Sequence, residues 1–316
     1  MHPRSIALPF RIILFASAAI VLSLVPYSVF GQDKKAQPMP TPNVRKDVQP
    51  TPTPTPTRVK EEPTPAKSKE EPKTAPAKLS KEDQKEALKN PTVEQIVESS
   101  IIVYAFPGGR EKMKQIRKTE SERGKLVMTG ADGQVTNANY QRWSLRSDAA
   151  GKEKIRLDQE LPTATYSVVQ SDDKLFGIYN DSTFTLREDA AAAFQNRVAH
   201  SIESLLFYKE NGSTIQLAGR DKVLGVDFHL VDLTDKVGRK TRFYISAKTY
   251  RIMQLDYETG GVKHTRKFRD YKYAQGVLVP FYSELSTGDK VIETVTVGTV
   301  TFGQKIDDTL FAASAS

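Results

Sequence analysis

From Lys114 to Thr301 the chain runs through short stretches in which β-branched and aromatic residues alternate with polar ones. The breaks between them are turn-forming pairs: Asp132-Gly133, Asp172-Asp173, Asn180-Asp181, Gly260-Gly261, Gln275-Gly276 and Gly288-Asp289. Gaps that short join antiparallel neighbours, because a parallel pair needs a crossover of about a dozen residues or more. The alternation also assigns faces. In Tyr140–Leu145 the residues Gln141, Trp143 and Leu145 share one side and Tyr140, Arg142 and Ser144 the other. The side carrying Trp143 reads as the inward one.

Two helices interrupt this pattern. Thr92 is placed to cap the first, with Gln95 as its reciprocal partner, and Val93, Ile96, Val97, Ser100, Ile101 and Tyr104 recur at helical spacing. Phe106-Pro107-Gly108-Gly109 reads as its stop, and Lys114–Glu122 as a weak strand. The second helix opens at Glu188-Asp189, where a helix dipole favours negative charge, and continues through Ala190–Ala193. Its apolar face carries Phe194, Val198, Ile202 and Leu205, and Asn211-Gly212 closes it.

The expected fold class is therefore α+β. A strongly curved antiparallel sheet of about 10–11 strands, an incomplete β-barrel, is covered on its concave side by two amphipathic helices. A bent sheet closed by helices encloses a space, and an apolar space of that kind is a ligand site. Its candidate lining is Trp143, Phe194, Val198, Ile202 and Phe228.

Residues 1–31 read as an export signal. Arg4 and Arg11 precede the apolar run Ile12–Val25, and Val29-Phe30-Gly31 ends at a small residue before Gln32. An uncleaved anchor is the other reading of the same stretch. Either way the expected location is the periplasm or cell envelope. Twelve of the 18 prolines fall in Pro38–Pro91, where Pro-Thr and Lys-Glu-Pro repeats leave little to bury. Residues 32–91 are expected to be a disordered, extended tether, and residues 92–316 one domain.

The net charge of +8 belongs mostly to the leader and tether, since Thr92–Ser316 holds 31 Lys/Arg against 29 Asp/Glu. No nucleic-acid partner is expected from so even a balance. With no cysteine there is no thiolate nucleophile and no lipid-modified N-terminal cysteine. Asp227 and His229 share a strand face, but two ligands do not make a metal site. His200, Ser201 and Glu203 do not form a triad, because adjacent helix positions do not face each other. No catalytic residue, metal site or cofactor is expected. The basic run Lys263–Arg269 reads as a charge-protected edge strand, or as a patch for an anionic membrane surface.

Three stretches carry a resemblance: Val223-Leu224-Gly225-Val226-Asp227-Phe228-His229-Leu230, Phe243–Ser246 through Tyr250–Met253, and Ile306-Asp307-Asp308-Thr309-Leu310-Phe311. In their order, and over about Thr92–Phe311, the chain resembles the LolA-like family of periplasmic lipoprotein carriers and outer-membrane lipoprotein receptors, as a remote member. The resemblance implies an incomplete barrel over helices. It also implies a non-enzymatic role in transport or sorting, with a lipid, lipoprotein or lipidated fragment held by its acyl chains. A membrane surface or an envelope protein is the other class of partner. An envelope protein-interaction or stress-sensing module of the same fold is the alternative.

Overall fold

The computed structural model describes residues 90–147, 152–162 and 164–313. The leader, and the tether up to residue 89, lie outside the described residues. The domain opens with α1 (Val93–Tyr104), and its start is fixed as the sequence suggests. Thr92 Oγ1 accepts the Gln95 backbone N–H at 3.3 Å, while Gln95 Oε1 accepts that of Thr92 at 2.8 Å. Gly108 and Gly109, both at positive φ, let the chain turn. A second helix, α2 (Gly109–Ile116), follows; it takes the first three residues of the strand expected over Lys114–Glu122, which begins instead at Thr119.

Strands β1 (Thr119–Thr129), β2 (Val135–Leu145), β3 (Lys154–Glu160), β4 (Thr165–Ser171), β5 (Lys174–Tyr179) and β6 (Ser182–Phe184) come next. The expected single helix is divided into α3 (Glu188–Ala199) and α4 (Ile202–Leu206). At the division His200 leaves helical geometry, and Ser201 caps the new helix by accepting the Ser204 N–H at 3.3 Å. Strands β7 (Thr214–Val223), β8 (Val226–Thr234), β9 (Lys240–Ser246), β10 (Ile252–Thr259), β11 (Val262–Ala274), β12 (Val277–Thr287) and β13 (Lys290–Phe302) complete the sheet. A 3-10 turn at Asp308–Phe311 ends the described chain.

All thirteen strands lie in one antiparallel sheet, in the order β6-β5-β4-β3-β2-β1-β13-β12-β11-β10-β9-β8-β7. Two meanders are joined by the pairing of β1 with β13, which sets Leu126 opposite Val295 and Met128 opposite Glu293. The expectation of an incomplete, strongly curved barrel of about ten or eleven strands is corrected here. The sheet is open and not strongly curled, with β6 and β7 as its two end strands. The basic run is likewise not at an edge. Strand β11 lies between β10 and β12, and its outward cations pair across strands, Lys263 with Asp256 at 2.8 Å and Arg269 with Glu284 at 2.9 Å.

The helices cover one face in two patches. Under α1 and α4, Ile96, Val97, Ile101, Tyr104, Leu205 and Leu206 pack on Val231, Leu233, Phe243, Ile245 and Leu255. Under α3, Phe194 packs on Leu126, Ala138, Tyr140, Leu157 and Val168. The opposite face is covered as well: Phe311 of the terminal turn packs on Val169 and Ile178, with Trp143 and Leu145 beside it.

Candidate functional site

Helix α3 divides the space over its part of the sheet. A cavity of about 680 Å3 lies on one side and one of about 750 Å3 on the other, and Leu157, Phe194 and Arg197 border both. Both volumes are in the range of small-molecule pockets. Their chemistry differs.

The smaller cavity has the more heavily charged lining. Its wall includes Glu120, Arg142, Ser144, Arg146 and Glu203. Behind it the buried Arg117 pairs with Glu203, tying α4 to the segment that precedes β1. Burial alone would raise the Glu203 carboxyl, but Arg117 and Arg142 outweigh it and hold its pKa at about 2. Glu122 behaves oppositely: burial raises its pKa against the pull of Arg142, and the Tyr140 hydroxyl donates to it at 2.8 Å.

The larger cavity is walled mainly by carbon. Met128, Leu157 and Val168 form its floor on the sheet, Phe184 and Leu186 come from the chain entering α3, and Ala190 and Phe194 come from α3 itself. Phe184 is held there by Gly177 opposite it on β5, where a Cβ atom would meet the ring at 2.2 Å. The far end of this cavity is polar and belongs to β10–β13. Glu293 of β13 receives Arg197 from α3 and Arg266 from β11, the latter at 3.0 Å. These two arginines outweigh the burial that would raise the Glu293 carboxyl and hold its pKa below the usual range. Beside them three rings stack: His200 on Tyr257 at 4.0 Å, and Tyr257 on His264 at 4.9 Å. Burial, then the charge of Arg266, lowers the pKa of His264 and favours its neutral form.

The structure brings together some of the residues singled out in the sequence and separates others. Phe194 borders both cavities. Val198 borders the smaller one, and Ile202 is buried in the core at the start of α4. Trp143 and Phe228 stand on the opposite face of the sheet. Trp143 packs near Phe311 with the Arg156 guanidinium 5.9 Å from its ring, and Phe228 meets Tyr244 edge-on at 6.1 Å. The inward side of β2 therefore carries Tyr140, Arg142 and Ser144, the reverse of the side expected. Sequence reasoning missed Met128, Leu157 and Val168, although each sits on an alternating strand. It also missed Arg197, Arg266 and Glu293, for which no local pattern signals convergence.

No protein-family model matches the sequence, and no curated protein is significantly similar to it. Solved structures are more informative. A DUF1329 family protein from Desulfovibrio piger superposes with a TM-score of 0.52 at 13% identity, over 71% of this chain and 98% of that one. The fold is that of the DUF1329 protein. A LolA superfamily protein from Nitrosomonas europaea is also similar, with a TM-score of 0.49 at 12% identity, over 70% of this chain and 97% of that one. The likeness to these proteins is remote and is one of fold. Among the described residues no helix is long and apolar enough to cross a membrane.

Proposed function

We propose that this is a non-enzymatic cell-envelope protein that holds the alkyl or acyl chain of a lipid, lipoprotein or lipidated fragment beside α3. The observation that carries this reading is the cavity of about 750 Å3 walled by Met128, Leu157, Val168, Phe184, Leu186 and Phe194. An alkyl chain entering it gains roughly 0.8 kcal/mol for each methylene removed from water, so binding needs few polar contacts. The resemblance of the sequence to LolA-like proteins agrees with a carrier or sorting role. Residues 1–31 would direct the chain across the cytoplasmic membrane or anchor it there, and residues 32–91 would give the domain reach from that membrane.

The test is mass spectrometry of the organic extract from the full chain purified from a native envelope fraction. A stoichiometric long-chain lipid that is absent from extracts of a variant with a filled cavity supports the reading. Extracts empty of lipid, or carrying the same lipid in both proteins, overturn it.

A further inference from the structure

The larger cavity is not uniformly apolar, and the surplus at its polar end has one sign. Its charged lining consists of Arg187, Arg197, Arg266 and Lys290 against Asp189 and Glu293, four cations and two carboxylates. Arg187 is satisfied at the rim by Asp189. Arg197 and Arg266 must share the single carboxylate of Glu293. The Arg266 contact at 3.0 Å is close but poorly aligned, so Glu293 Oε1 has a charge partner and no hydrogen bond among the described residues. Lys290 donates to the Gly130 carbonyl oxygen at 3.0 Å and meets no carboxylate among the described residues.

A second observation points to the same place. His264 is 5% exposed, and its Nε2 atom has no hydrogen-bond partner among the described residues. Its other nitrogen, Nδ1, lies 3.2 Å from the Thr287 hydroxyl. If that hydroxyl donates to Nδ1, then Nε2 carries the proton of the neutral ring and is a buried donor without an acceptor. Leaving such a group unmet is costly, and an oxygen brought within its reach recovers that cost. His264, Arg266, Lys290 and Glu293 all border the cavity that Phe184 and Phe194 wall with carbon.

We propose that the ligand is a single-chain amphiphile with an anionic head, its chain against Leu157, Phe184 and Phe194 and its head toward His264 Nε2, Arg266 and Lys290. This rests on the reading of the cavity as a lipid site and adds the head group that the site selects. A carboxylate and a phosphate share the required chemistry, as oxygen acceptors with negative charge.

The experiment is equilibrium binding of three probes with one chain length to the full protein: dodecanoate, dodecyl phosphate and dodecanol. The expected result is that at least one anionic probe binds about tenfold or more tightly than dodecanol, the size of one charge-assisted hydrogen bond. Whichever anion is tighter distinguishes a fatty-acid head from a phosphate head. Arg266→Gln, His264→Gln and the exposed Lys290→Gln should each reduce that preference severalfold. Equal binding of all three probes overturns the head-group assignment while leaving the lipid site standing. A preference that survives all three substitutions also overturns it. Failure of every probe to bind overturns both.

Discussion

The imidazole of His200 lies flat on the phenol ring of Tyr257, with 4.0 Å between ring centroids and 5° between planes. His200 ends α3 and Tyr257 is in β10, so the contact joins the helix beside the cavities to the second meander. Burial, followed by the charge of Arg239, lowers the His200 pKa from 6.5 to about 4.

That shift makes stability depend on pH with a definite sign. The unfolded histidine takes up its proton near pH 6.5, whereas the folded one resists until about pH 4. Between those values the unfolded state binds more protons, so stability falls as pH falls, by about 3 kcal/mol in all. His229 and His264 are shifted in the same direction and deepen the loss. Urea titrations at pH 7.5 and pH 4.5 should show it, and His200→Gln should make the two midpoints more alike. Equal midpoints for the unaltered chain contradict this account.

Glu293 holds two arginines, so its removal should be more damaging than the loss of one surface pair. Glu293→Ala leaves Arg197 and Arg266 facing each other without their anion, and should destabilise the fold by about 3 kcal/mol. The double substitution Glu293→Leu with Arg266→Met removes the buried charges together and should lose clearly less. Denaturant unfolding of the two proteins decides the matter.

Leu224 is 98% exposed at the tip of the β7–β8 hairpin and has φ +48, followed by Gly225 at φ +80. Both turn residues are left-handed, which suits Asn-Gly and strains a leucine. Leu224→Asn gives up no burial and should stabilise by about 1 kcal/mol, read as a rise in melting temperature of about 3 °C. A fall would show that the tip is held by contacts of its own.

Gly177→Ala places a methyl group where the Phe184 ring now sits, since a Cβ atom would lie 2.2 Å from it. The ring must swing away and take part of the cavity wall with it. The expected outcome is a stability loss of about 2 kcal/mol and weaker binding of dodecanol, measured by calorimetry.

Much of the framework was legible because local signals wrote it. The Thr92–Gln95 capping box fixed α1, and the turn pairs separated nearly every strand. Helix α2 was hidden by a polar sequence, Gly109–Ile116, whose buried residues are only Gly109 and Met113. The division of α3 from α4 depends on the cap at Ser201 and on a buried His200, neither of which breaks the apolar stripe. The pairing of β1 with β13 is formed by segments some 170 residues apart and has no local mark. Trp143 lies on the side of β2 richer in apolar residues, which by composition alone reads as the side facing the helices. The terminal 3-10 turn covers that side, and the helix-covered side of β1 and β2 is apolar at Leu126, Ala138 and Tyr140 but charged at its other end, with Glu120 and Glu122 set against Arg142. Of the walls of the two cavities only Phe194 and Val198 are legible, as members of a helical stripe, and only Phe194 borders the larger one. The convergence of Arg197, Arg266 and Glu293 belongs to the tertiary fold.

The central claim is that the space beside α3 takes up an alkyl chain. Ala190 is 5% exposed and borders that space from the first turn of α3, so Ala190→Phe should fill it. Titration of the full chain and of this variant with a fluorescent long-chain alkyl probe is the most direct measurement, with thermal unfolding to verify that both are folded. The account predicts saturable one-to-one binding by the unaltered chain and its loss in the variant. Absence of saturable binding, or the same dissociation constant for both proteins, contradicts it.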